Sequence, residues 1–98
     1  MIAHVVCLKL KPFADGNPQS KNIPLLVEKL RNLKNEIPQI HSLDLGVNTN
    51  GTEADIVLTE LFENAEALAI YDASMPHIRI KEYIGRVCEK MTVTDYPF

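Results

Sequence analysis

The chain has 98 residues, 46% hydrophobic and 23% charged, the proportions of an ordinary globular protein and not of a disordered one. Ten basic against thirteen acidic residues give a formal charge of −3, which removes the electrostatic footing of a dedicated nucleic-acid binder. No apolar run is long enough to span a membrane, and Met1-Ile2-Ala3-His4 lacks the basic and apolar segments of a signal peptide, so the expected setting is the cytoplasm.

Residues 1–98 are expected to form a single domain, with no repeat or linker. Ile2 to Leu10 is rich in β-branched residues and apolar in both registers. His4, Val6, Leu8 and Leu10 share one face, and Ala3, Val5 and Cys7 the other, the pattern of an inner strand. Pro12 ends it, and Asp15-Gly16-Asn17-Pro18 reads as a loop. Ile23, Val27, Leu30, Leu33 and Ile37 then fall at helical spacing. Pro24 fits a helix only in its first turn, which places the start near Ser20 or Asn22, and Pro38 stops it.

His41 to Asn48 alternates Leu43, Leu45 and Val47 with Ser42, Asp44 and Gly46, an edge strand with one wet face. After an Asn50-Gly51 turn, Asp55 to Phe62 reads as a second inner strand, with Ile56, Leu58 and Phe62 against Val57, Thr59 and Leu61. Asn64 is an N-cap for a short helix ending near Ser74. Pro76 opens another, with His77, Ile80, Ile84 and Val87 on one stripe and Arg79, Lys81 and Glu82 facing away. Val87 to Tyr96 forms the last strand, with Met91 and Val93 on one side and Thr92 and Thr94 on the other.

The order β-α-β-β-α-β predicts a ferredoxin-like α+β fold, a four-stranded antiparallel sheet with helices on one face. Helices cover only that face, leaving Val5, Cys7, Val57 and Leu61 open. Two such sheets facing each other give a homodimeric α+β barrel, with a second copy of the chain as partner. The last strand would lie beside the first, which brings Cys7 and Cys88 within conceivable reach of each other. A reducing cytoplasm argues against a disulfide, and both read as small buried hydrophobes.

Several uses of this topology are excluded by composition. RNA-recognition sheets stack bases on aromatic side chains, and these inner strands read Val5-Val6-Cys7-Leu8 and Ile56-Val57-Leu58-Thr59. No CxxC pair or Cys/His cluster supports a metal, and four scattered glycines make no phosphate cradle, so no cofactor is expected. The remaining chemistry rests on His4 in the apolar register of the first strand, Tyr71 near the end of the second helix, and His77 just past Pro76. Each has an ordinary structural reading beside the functional one: a hydrogen-bonded core histidine, an amphipathic tyrosine, a helix-cap histidine.

Taken in order, His4-Val5-Val6-Cys7-Leu8-Lys9-Leu10-Lys11, Ile37-Pro38-Gln39-Ile40, Leu45-Gly46-Val47-Asn48, Phe62 with Ala67-Leu68 and Tyr71, Met75-Pro76-His77 and Val93-Thr94-Asp95-Tyr96 span nearly the whole chain. This series resembles the stress-responsive dimeric α/β-barrel domain family, which includes plant stress-induced proteins and a plant polyketide cyclase. The resemblance implies a site of His4, Tyr71 and His77. His77 would take a proton from carbon beside a carbonyl, Tyr71 would hold the oxygen, and His4 would orient the pocket. The family's His-Pro two residues before the key histidine is replaced by Ser74 and Met75, with the proline moved next to His77. The cyclase's second inner-strand histidine aligns with Ile56.

The leading expectation is a homodimer binding a small apolar or carbonyl-containing molecule between sheet and helices. The alternatives are a cofactor-free cyclase or lyase working through a His/Tyr pair, a cofactor-free monooxygenase of the same architecture, and a purely self-associating structural protein.

Overall fold

Along the chain the elements are β1 (Ile2–Leu10), β2 (Phe13–Ala14), β3 (Asn17–Pro18), α1 (Gln19–Glu36), β4 (Ser42–Val47), β5 (Ile56–Phe62), α2 (Ala65–Ala73), α3 (Met75–Val87) and β6 (Cys88–Pro97). They come from a computed structural model that describes residues 1–50 and 53–98, so Gly51 of the expected Asn50-Gly51 turn lies outside the described residues. The main sheet runs β4-β5-β1-β6, antiparallel throughout, so the two strands apolar on both faces are the inner ones. With its three helices this is a ferredoxin-like α+β fold.

Register decides which residues meet. The row Leu43, Glu60, His4, Asp95 crosses all four strands on the helix side, followed by Leu45, Leu58, Val6, Val93 and then Val47, Ile56, Leu8, Met91. Against these rows α1 packs Leu26, Leu30 and Leu33, and α3 packs Ile80, Ile84 and Val87. Phe62, Leu8 and Ile56 are fully buried at the centre. Burying one such side chain contributes about 1.5–3 kcal/mol, which is why the helices dock on this face.

Three local expectations are corrected. Asp15-Gly16 forms the turn of a small β2–β3 hairpin, with positive φ at both residues (52° and 76°), the conformation that a two-residue hairpin turn requires. The helix begins earlier than expected, at Gln19, and Pro24 lies beyond its first turn. Pro24 and Ser20, whose carbonyl loses its helical partner, are both exposed, so this stretch of the helix is open to solvent, which can take up the missing bond. The start is pinned by side chains: Gln19 Nε2 donates to the Leu10 carbonyl at 2.9 Å, and buried Asn22 donates to the Ala14 carbonyl at 2.9 Å. Finally, Cys7 pairs with Thr92 while Cys88 pairs with Leu10, and the two thiols face opposite sides of the sheet. Both cysteines are free, and no bridge can join them within one chain. Only Cys88 is buried, and that burial, reinforced by the Asp55 charge, pushes the thiol pKa up to about 11.

Among the described residues, no helix covers the other face of the sheet. Val57 is 37% exposed there, Val5, Cys7 and Leu61 are half-buried, and Thr92, Thr94 and Tyr96 are exposed on β6. On the helix side the cover stops short of β6, so Met91 and Val93 remain 41% and 46% exposed.

Candidate functional site

Where α3 leaves β6 uncovered, a cleft of about 590 Å³ opens between them. Leu30, Leu33, Leu58, Ile80 and Ile84 form its wall, and Met91, Val93 and Ile78 its partly exposed mouth. His4, Tyr71 and His77 all line it, together with Asp72 and Asp95. Lys81 and Glu82 also border the cleft, whereas the helical stripe placed them facing away.

A short joint between α2 and α3 sets the spacing of Tyr71 and His77. Ser74 ends α2 through its N–H and its Oγ, both donating to the Tyr71 carbonyl at 3.1 and 2.7 Å. The same Oγ accepts from the His77 N–H at 3.4 Å, and the Ser74 carbonyl accepts from Ile78 N–H at 3.0 Å. Pro76, in the first turn of α3, needs no helical acceptor there. The proline beside His77 is thus absorbed into the helix start, and the His77 ring rests against Tyr71 with centroids 4.6 Å apart.

His77 Nδ1 donates to the Asp72 carbonyl at 3.0 Å, which leaves Nε2 as the acceptor of the neutral ring. Burial lowers its pKa below the usual 6.5, against smaller opposing effects of the Asp72 carbonyl and carboxylate, so the neutral base form is favoured. His4 Nδ1 is bonded to Asp95 Oδ1, its cross-strand partner, and its ring stands edge-on to Phe62 and Tyr71 at 6.2 and 5.8 Å.

Tyr71 is buried, and its Oη lies 2.7 Å from Glu60 Oε1. Burial, reinforced by the Glu60 charge, raises the Tyr71 phenol well above its ordinary range. Burial likewise raises the Glu60 carboxyl from its usual 4.5, outweighing the hydrogen bond from Tyr71.

Glu60, Asp72 and Asp95, which contact Tyr71, His77 and His4 respectively, are groups of this site that the sequence reading did not single out as site residues. Glu60 carried a signal, since it occupies the inward register between Leu58 and Phe62, where a carboxylate is out of place. Asp95 carried none until the β1–β6 register placed it opposite His4. Among the described residues, no group of three or more His, Cys, Asp or Glu side chains is arranged to hold a metal ion. Nor is any helix among them long and apolar enough to cross a membrane.

An open-faced ferredoxin-like sheet, with a histidine- and tyrosine-lined cleft under its helices, defines the class of protein. The chain belongs to the stress-responsive A/B barrel domain family, whose model matches residues 2–98. Among solved structures, an Arabidopsis thaliana protein aligns over 100% of this chain and 95% of its own, with a TM-score of 0.82 and 24% identity. A dimeric ferredoxin-like protein of unknown function from Bacteroides fragilis covers 99% and 95%, with a TM-score of 0.79 and 24% identity. A hydroxynitrile lyase from Passiflora edulis covers 97% and 90%, with a TM-score of 0.79 and 19% identity. These likenesses carry the fold alone. No curated protein matches the chain.

Proposed function

We propose that residues 1–98 act as one domain of a homodimer, paired through the open face of the sheet, that binds a small uncharged molecule with an apolar body and a carbonyl group. The observation that carries the ligand reading is the division of the cleft: aliphatic walls and mouth at one side, and His4, Tyr71 and His77 gathered at the other. Asp72, Glu82 and Asp95 border the cleft against one lysine, Lys81, which disfavours an anionic ligand. The pairing reading is supported by the exposed Val57 on an inner strand and by the dimeric Bacteroides fragilis structure.

One feature favours a catalytic version of this reading. His77 keeps an unprotonated Nε2, 4.0 Å from Asp72 Oδ1, on a ring packed 4.6 Å from that of Tyr71, and a neutral imidazole and a phenol on one cleft are the pair needed to remove a proton from carbon next to a carbonyl and to hold the resulting oxygen charge without a cofactor. The lyase among the fold neighbours is an enzyme on the same scaffold. His4 would orient the ligand from the β1 side.

The test is a thermal-shift screen with ketones, phenols and polyketide-like compounds, run on the wild type and His77→Ala. A compound of this class is expected to raise the wild-type Tm in proportion to its concentration and to lose that effect in His77→Ala. Equal responses in both proteins, or none in either, would return the three side chains to structural roles.

A further inference from the structure

Glu60 lies behind Tyr71, in surroundings that suit an acid and not a carboxylate. It is 0% exposed; its Oε1 meets one hydroxyl, and its Oε2 has no hydrogen-bonding partner among the described residues. A buried carboxylate held by a single neutral donor is far more costly than a buried acid whose second oxygen is a bare carbonyl-type acceptor. The packed elements bring no free cation to it. β4 places Leu43 beside it, and β1 places His4, already bonded to Asp95 of β6. From α2 come Tyr71 and Asp72, while His77 and the exposed Lys81 of α3 line the cleft beyond Tyr71.

Counting protons separates two states of the pair. With Glu60 ionised, the single proton of Tyr71 is spent on Oε1, and the cleft meets only lone pairs backed by a buried negative charge. With Glu60 neutral, its own O–H donates across the 2.7 Å gap to Tyr71 Oη, and the Tyr71 proton is free for the cleft.

We propose that Glu60 is a positioning residue: a neutral acid that donates to Tyr71 and so presents the Tyr71 hydroxyl to the cleft as a hydrogen-bond donor. This rests on the ligand reading above only for the ligand class, which it sharpens to molecules offering a ketone carbonyl or enolate oxygen at that point. No proton leaves Glu60; two hydrogen bonds act in series on the ligand oxygen. The upward shifts at Glu60 and Tyr71 both favour the proton-bearing forms that the arrangement needs.

The experiment begins with the free protein, labelled with carbon-13 at the glutamate carboxyls and tyrosine Cζ atoms. The Glu60 signal, assigned by its absence in Glu60→Gln, is expected to titrate above the ordinary 4.5, and the Tyr71 signal to move with the same midpoint. In Glu60→Gln, where an amide N–H donates at every pH, the Tyr71 signal is expected to stay still over that range. Acetophenone labelled at its carbonyl carbon is the ligand probe. Its carbonyl signal is expected to shift downfield on binding, to lose that shift in the wild type as Glu60 ionises, and to keep it in Glu60→Gln.

A Glu60 midpoint at the ordinary value, or a Tyr71 signal indifferent to it, overturns the proposal. So does a bound acetophenone whose carbonyl shift is unchanged in Tyr71→Phe. If acetophenone binds neither protein while Glu60 and Tyr71 titrate together, the donor pair stands and the ligand reading falls.

Discussion

Val57→Asp puts a charge at the centre of the face assigned to self-association. Val57 is on β5, opposite Cys7 of β1, and its side chain points away from the helix-side core. It is 37% exposed in the single chain, so pairing would bury the remaining third of a side chain whose full burial contributes about 1.5–3 kcal/mol, or roughly 0.5–1 kcal/mol per copy. The larger effect is the carboxylate, since burying an unpaired ion costs several kcal/mol, and a two-fold dimer incurs the change twice. A combined loss of at least about 4 kcal/mol weakens the dimer about a thousandfold. Sedimentation velocity over a concentration series reads the Kd directly, with circular dichroism reporting that the helices persist. Val57→Thr, close in shape and uncharged, is the control and is expected to weaken pairing only slightly. A Val57→Asp protein that retains both fold and wild-type Kd would refute the assignment of this face.

Stability is expected to depend on pH through two opposed groups. Glu60 has a folded pKa above 4.5, so the native state binds its proton more tightly and stability falls as pH rises from about 4.5 through the folded value. His77 has a folded pKa below 6.5, so stability rises with pH from that folded value up to about 6.5. Urea midpoints between pH 4 and 8 are expected to lose the falling limb in Glu60→Leu and the rising limb in His77→Ala; identical profiles in all three proteins would sink the assignment. Asn64→Ala removes the side-chain acceptor of Ala67 N–H and is expected to cost about 1 kcal/mol in chemical denaturation. Tyr71→Phe strands the buried Glu60 and is expected to cost about 1–3 kcal/mol, with the greater loss at higher pH, where Glu60 ionises.

Hydrophobic patterning made the sheet legible. The doubled apolar registers of Ile2–Leu10 and Ile56–Phe62 identified the inner strands, and Asn64 marked the start of α2, because each signal is local. Pro24 misled, since its cost depends on whether water reaches the orphaned carbonyl, and that depends on which side of the helix faces the core. Cys7 and Cys88 misled for a related reason: knowing that two strands are adjacent gives neither their register nor the face a side chain takes. His4, Tyr71 and His77 stand on one cleft, but spacing alone says nothing of Asp95, which reaches His4 only through the β1–β6 register. Glu60 was visible as a break in an alternating pattern, and its meaning depended on Tyr71 arriving from another element.

Ser74 both closes α2 and opens α3, so fraying of either helix end would break hydrogen bonds that hold the other. The interval between Tyr71 and His77 is thereby set in part by the backbone joint, in addition to the packing of Tyr71 against Phe62 and His4. Sequence drift along the rest of α3 can reshape the wall of the cleft while the tyrosine and histidine keep their mutual alignment, whereas one residue inserted at the elbow would rotate the histidine off its neighbour by about a quarter of a helical turn.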